Sequence, residues 1–131
     1  MNVLVTLDEN YIPPLKVMLW SLFFNNPDCF FNVYLLHSSI SKKSLEDLER
    51  FVESNGQKLL PIQIDNGYFE NAPVVMHYTK EMYYRLLAYK FLPQDVNKIL
   101  YLDPDILIIN SIKELYELDI SDNLFAAAFH K

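Results

Sequence analysis

Asp103 and Asp105 stand two residues apart, so in an extended chain their carboxylates project to the same side. Pro104 between them fixes its own φ and keeps Asp103 out of the helical region. Two carboxylates held this close repel each other and stabilise a divalent cation. Their hard oxygen ligands favour Mn²⁺ or Mg²⁺, ions that keep open positions for the oxygens of a phosphate. The chemistry would be that of a Lewis acid neutralising a diphosphate as it leaves. The tripeptide also reads as a plain turn after a strand. Its setting weighs against that: residues 99–102 (ILYL) and 106–109 (ILII) are apolar on either side. Charges between two buried segments are costly unless they are paired or bind metal. A second polar cluster, Asp8-Glu9-Asn10-Tyr11, follows another apolar run, residues 3–7 (VLVTL).

The elements that must position these clusters follow from periodicity. Residues 3–7 read as a buried strand, and 31–37 (FNVYLLH), 58–64 and 98–102 as the second, third and fourth strands. Pro13 and Pro14 suit the first turn of a helix that runs to about Phe24 and stops at Asn25-Asn26-Pro27-Asp28. Ser41 is a candidate N-cap for a helix ending at Asn55-Gly56, with Leu45, Leu48, Phe51 and Val52 at helical spacing. Residues 66–77 lack a period and read as a connection across the sheet edge. Thr79 can cap a helix over residues 80–92 that Pro93 ends. Short strands are expected over 107–109 and 124–129, and a short helix over 112–118. Phe23, Phe24, Phe30, Phe31 and Trp20 read as core.

Strands alternating with helices predict an α/β fold: a Rossmann-like, mostly parallel sheet with helices on both faces. Ligands of such sheets sit beyond the carboxyl ends of the strands, where both polar clusters fall. Only two glycines are present, which excludes a Gly-rich phosphate loop, so phosphate recognition must rest on metal and side chains.

A chain of 131 residues that is 51% hydrophobic can bury a single-domain core and is no disordered segment. The net charge of −6 argues against a nucleic-acid partner and against polybasic membrane attachment. One cysteine, Cys29, forms no internal disulfide and fits a reducing compartment. No leader is visible, and the longest apolar stretch, residues 12–24, is shorter than the roughly 20 residues of a membrane span. These features predict a cytoplasmic protein with no transmembrane segment.

Residues 83–109, YYRLLAYKFLPQDVNKILYLDPDILII, resemble the signature of glycosyltransferase family eight. That family includes bacterial lipopolysaccharide glucosyl- and galactosyltransferases and glycogenin. VLVTLDENYIPPLKVMLWSL and FNVYLLHSSIS are similar to its opening segments, so the resemblance covers nearly the whole chain. It implies a retaining transferase of the GT-A fold that moves a hexose, glucose or galactose, from a UDP-sugar to a glycan or lipid-linked acceptor, usually with Mn²⁺.

By position it implies metal ligation by Asp103 and Asp105, with Asp103 also reaching the ribose. Asp8 and Asn10 would hydrogen-bond the nucleotide, with Asp8 on the uracil edge. Tyr11 would stack on the base, and backbone near Thr6 would face it. Arg85 would contact the donor sugar or diphosphate, and His77 would lie near the donor.

Plainer roles stand beside these. Asp8 and Asn10 suit helix caps, and Tyr11 suits a hydrophobic staple. Arg85 can pair with Glu81 one turn earlier. His77 suits a structural place, and His130 departs from the acidic residue that the family presents nearby, which leaves the acceptor open. The family's domain is about twice this length. The resemblance therefore implies an amino-terminal, truncated portion. A histidine metal ligand and the catalytic groups around the anomeric carbon would come from the other half. Peripheral attachment at the inner membrane face, through a part not in this chain, and self-association both remain open.

Two other classes fit parts of the pattern. A phospho-signalling receiver would share the length and the acidic residues after the first and third strands (Asp8, Glu9, Asp65), but has no use for a carboxylate pair after the fourth. A nucleotide-binding remnant without chemistry would keep the surface alone.

Overall fold

The computed structural model describes residues 1–65, 67, 84–85, 87–121, 123 and 126–127. Its centre is a four-stranded sheet built from β1 (Asn2–Thr6), β2 (Asn32–His37), β3 (Lys58–Gln63) and β4 (Leu100–Tyr101), in the order β3-β2-β1-β4. All neighbours run parallel, with Leu4 opposite Tyr34 and Tyr101, and Val33 opposite Leu59.

The apolar runs of β1 and β2 follow from burial of both faces of these central strands, whereas β3 at the edge is partly exposed. Val3, Val5, Val33 and Leu35 point to one face and meet α1 (Ile12–Phe24) through Leu15, Met18, Leu19 and Leu22. The same face meets α2 (Lys42–Ser54) through Leu48 and Val52. Leu4, Tyr34 and Leu36 alternate to the other face, where Tyr84 and Ala88 pack. The α/β architecture with helical cover on both faces is therefore as expected.

Local chemistry sets the element ends. Ser41 Oγ accepts the Ser44 backbone N–H at 3.3 Å and caps α2, as its sequence position predicts. Gly56, at φ +72°, supplies the left-handed residue after that helix and donates to the Glu53 carbonyl at 2.8 Å.

Several expectations are corrected. Residues 107–109 form no strand. The Ser21 hydroxyl accepts the Ile108 N–H at 3.0 Å and Asn25 Nδ2 donates to the Ile108 carbonyl at 2.8 Å. The backbone groups a strand would pair are thus already occupied by the end of α1. The fourth strand is only Leu100–Tyr101, because the chain leaves the sheet for the carboxylate turn.

The late helix narrows to α3 (Lys113–Tyr116). Ahead of Pro93, Ala88–Lys90 is a 3-10 turn rather than the end of a longer α-helix, with Lys90 N–H on Leu87 O and Phe91 N–H on Ala88 O, both at 2.9 Å. Residues 126 and 127 are irregular; the rest of the strand expected over 124–129 lies outside the described residues.

Phe23 and Phe31 are buried, but Trp20, Phe24 and Phe30 are exposed. Trp20 and Phe24, one turn apart on the outer face of α1, stack at 5.0 Å. Among the described residues no helix is long and apolar enough to cross a membrane.

Candidate functional site

The strand order creates a crevice at one place. From β1 the chain crosses to β2 and then β3 on one side, and β4 returns to the other side of β1. Beyond the carboxyl ends of β1 and β4 the two flanking connections therefore diverge, and open α/β sheets bind ligands at such switch points. The order also excludes the receiver arrangement, in which β3 would lie beside β1.

Both sequence clusters meet here. The pairing of Leu4 with Tyr101 and the bond from Leu102 N–H to Leu4 O at 3.0 Å align the ends of the two strands. Thr6 Oγ1 and Tyr101 Oη are 3.5 Å apart, across 95 residues of sequence.

On the β1 side, residues 9–11 form a 3-10 turn capped by Asp8, whose Oδ1 accepts the Asn10 N–H at 2.8 Å. Asp8 thus caps this short turn with one carboxylate oxygen and does not cap α1, whose N-cap is Tyr11 without a side-chain bond. Asn10 is exposed, and Tyr11 is 45% exposed at the start of α1 rather than buried as a staple.

Glu9, which in sequence bears only on the receiver alternative, accepts the Ser41 hydroxyl at 2.6 Å and also the Ser44 hydroxyl. These bonds hold its carboxyl below the usual carboxylate range and clasp the loop to the start of α2. No local signal joins residues so far apart in sequence.

On the β4 side, Pro104 is buried and Asp103 and Asp105 are exposed. Among the described residues neither carboxylate forms an ion pair with a lysine or arginine. No described cluster of three or more His, Cys, Asp or Glu surrounds them. Two hard oxygen donors fit a Mg²⁺ or Mn²⁺ ion that completes its shell with water and phosphate oxygens.

The turn is held from behind. Asn26 Oδ1 accepts the Ile112 N–H at 2.9 Å and the Ser111 hydroxyl at 3.1 Å, tying the segment after Asp105 to the end of α1.

Arg85 is exposed, and its guanidinium lies over the Tyr101 ring, 5.5 Å from the centroid. Burial pushes the Tyr101 hydroxyl above its ordinary pKa. A hydrogen bond with Thr6 opposes that rise, the Asp103 carboxylate adds to it, and the Arg85 charge opposes it. Tyr101 is the central residue that the sequence reading did not single out. His77, Glu81 and His130 lie outside the described residues.

Residues 2–131 match the family described as Glycosyl transferase family 8. "Glycosyltransferase GlyF" of Streptococcus pneumoniae is 28% identical over 91% of this chain and 29% of its own length. "Lipopolysaccharide 1,2-glucosyltransferase" of Escherichia coli is 23% identical over 92% of this chain and 36% of its own length. A crystal structure of the galactosyltransferase LgtC in complex with donor and acceptor sugar analogs superposes with a TM-score of 0.84. It is 27% identical, over 94% of this chain and 44% of that one. The chain thus spans less than half the length of these relatives. The match runs through both polar clusters and the sheet that joins them, and by it this chain belongs to glycosyl transferase family 8.

Proposed function

We propose that this chain is the amino-terminal, nucleotide-binding part of a transferase that moves a hexose, glucose or galactose, from a UDP-sugar to a glycan or lipid-linked acceptor, with retention at the anomeric carbon. The observation that carries the reading is the meeting of two clusters at the switch point: Thr6, Asp8, Asn10 and Tyr11 on one side, Arg85, Asp103 and Asp105 on the other.

Asp8, with one oxygen engaged by Asn10, offers the other to an N–H on the edge of a uracil ring. Tyr11 supplies an exposed ring on which the base stacks. Arg85 directs charge-assisted donors to the diphosphate or the sugar. Asp103 and Asp105 hold Mn²⁺ or Mg²⁺, and Asp103 also reaches the ribose. When bound, the ion supplies charge neutralisation to the departing diphosphate. Without a cation, an acidic chain of net charge −6 repels such a ligand, so its affinity rests on the carboxylate pair and Arg85. The groups that flank the anomeric carbon belong to the further length that the relatives possess.

Calorimetric titration of UDP, with and without Mn²⁺, tests this. Binding by the wild-type chain is expected to require Mn²⁺. An Asp103→Ala/Asp105→Ala variant is expected to bind at least about a hundredfold more weakly, since even indirect supports of a metal typically contribute that much. Metal-independent binding, or an unaffected double variant that remains folded, would contradict the reading.

A further inference from the structure

Arg85 and Tyr101 meet in a way that the roles above leave unused. The guanidinium sits over the ring face of Tyr101, and no described carboxylate forms an ion pair with it. Contact through a ring face leaves the N–H donors of a guanidinium free in its own plane, where two can engage phosphate oxygens. An arginine anchored by a carboxylate would spend those donors on its anchor and would lose its net charge to the pair.

The ring is itself held from two directions. Strand pairing with Leu4 fixes its backbone, and its hydroxyl lies 3.5 Å from Thr6 Oγ1. Tyr101 also precedes Asp103 by two residues. One side chain therefore touches the end of β1, the arginine and the approach to the carboxylate turn.

We propose that Tyr101 is a positioning residue: its ring presents Arg85, donors outward, to the diphosphate of the donor nucleotide, and its place in the sheet opposite Leu4 holds the ring for that task. This rests on the nucleotide-diphosphate reading of the site. Tyr101 acts through Arg85, so removing either should remove the same contribution.

UDP is titrated with Mn²⁺ into the wild type, Tyr101→Leu, Arg85→Ala, their combination, and Tyr101→Phe. Arg85→Ala is expected to weaken binding about tenfold, the loss of one charge-assisted contact. Tyr101→Leu is expected to weaken it by the same factor, and the combination by no more than either alone. Tyr101→Phe keeps the ring and is expected to stay within about threefold of the wild type. A residue that merely supports the fold would not give this shared loss.

Losses that multiply to about a hundredfold would overturn the proposal, as would a Tyr101→Leu variant that binds like the wild type. A spectroscopic test on the wild type covers the case in which Tyr101→Leu does not fold. The Arg85 Nε–H resonance, identified by its absence in Arg85→Ala, is expected to be shifted upfield by the ring current and to stay shifted with UDP and Mg²⁺. An unshifted resonance overturns the proposal. Wild-type protein that binds no UDP overturns both this inference and the reading beneath it; binding with multiplicative losses overturns this inference alone.

Discussion

His37 shows what a single buried group can do to stability. It closes β2 at 2% exposure, and its Nδ1 accepts the Ile40 N–H at 3.3 Å. That bond requires the neutral imidazole, and burial lowers its pKa from the ordinary value of 6.5. As the pH falls below that value, the unfolded chain takes up a proton that the native state refuses, so stability declines until the lowered native pKa is reached. Melting temperatures at about pH 7.5 and about pH 5.5 should therefore differ more in the wild type than in His37→Gln. Equal differences would remove His37 from the acid sensitivity. At this scale the sequence was legible where chemistry is local. Asp103-Pro104-Asp105 is readable because adjacency alone sets its geometry. The roles of Tyr101, Glu9 and His37 were not, because each depends on partners brought in by packing.

Helix α1 does two jobs whose signals conflict in its sequence. Its inner face fills the core through Leu15, Met18, Leu19 and Leu22, while Trp20 and Phe24 leave its outer face apolar as well. A helix apolar all round reads as buried, which is why those aromatics were expected in the core. The polar residues at its end anchor the segment after Asp105. Asn26 Nδ2 donates to Leu22 O at 2.8 Å while its Oδ1 accepts from Ser111 and Ile112. Asn26→Leu leaves the Ile112 N–H and the Leu22 carbonyl unpaired, and is expected to cost about 1–3 kcal/mol in equilibrium denaturation. Ser41→Ala removes both the α2 cap and a hydroxyl that Glu9 accepts, with an expected cost of about 1 kcal/mol in the same measurement. A smaller loss from Asn26→Leu than from Ser41→Ala would mean that the segment is held by something other than Asn26.

Across the whole molecule, the two ends of the sheet divide the work. At the amino ends of β1 and β4, Tyr116 Oη donates to Lys98 O at 3.2 Å and accepts the Asn2 N–H at 3.0 Å, and Lys98 Nζ caps the carbonyls of Tyr116 and Leu118. At the carboxyl ends lie the candidate ligands. The outer face of α1, with Phe24 66% exposed, offers an apolar surface beside this framework. Sedimentation at rising concentration is expected to show association that Trp20→Gln/Phe24→Gln diminishes, with stability changed by no more than about 1 kcal/mol. Unchanged association would place the contact elsewhere.

The sequence by itself determined the alternation of β1, β2 and β3 with α1 and α2, the ends of those two helices and the carboxylate pair set by adjacency. Each of these follows from period, capping residues or adjacency over a few positions. Only the tertiary structure decided that β4 lies beside β1, bringing Tyr101, with Arg85 over its ring, to Thr6 and setting the site at the switch point. The physical reason is that strands buried on both faces look alike in sequence. Which of them pair is settled by the packing of side chains far apart along the chain, and no local pattern records it.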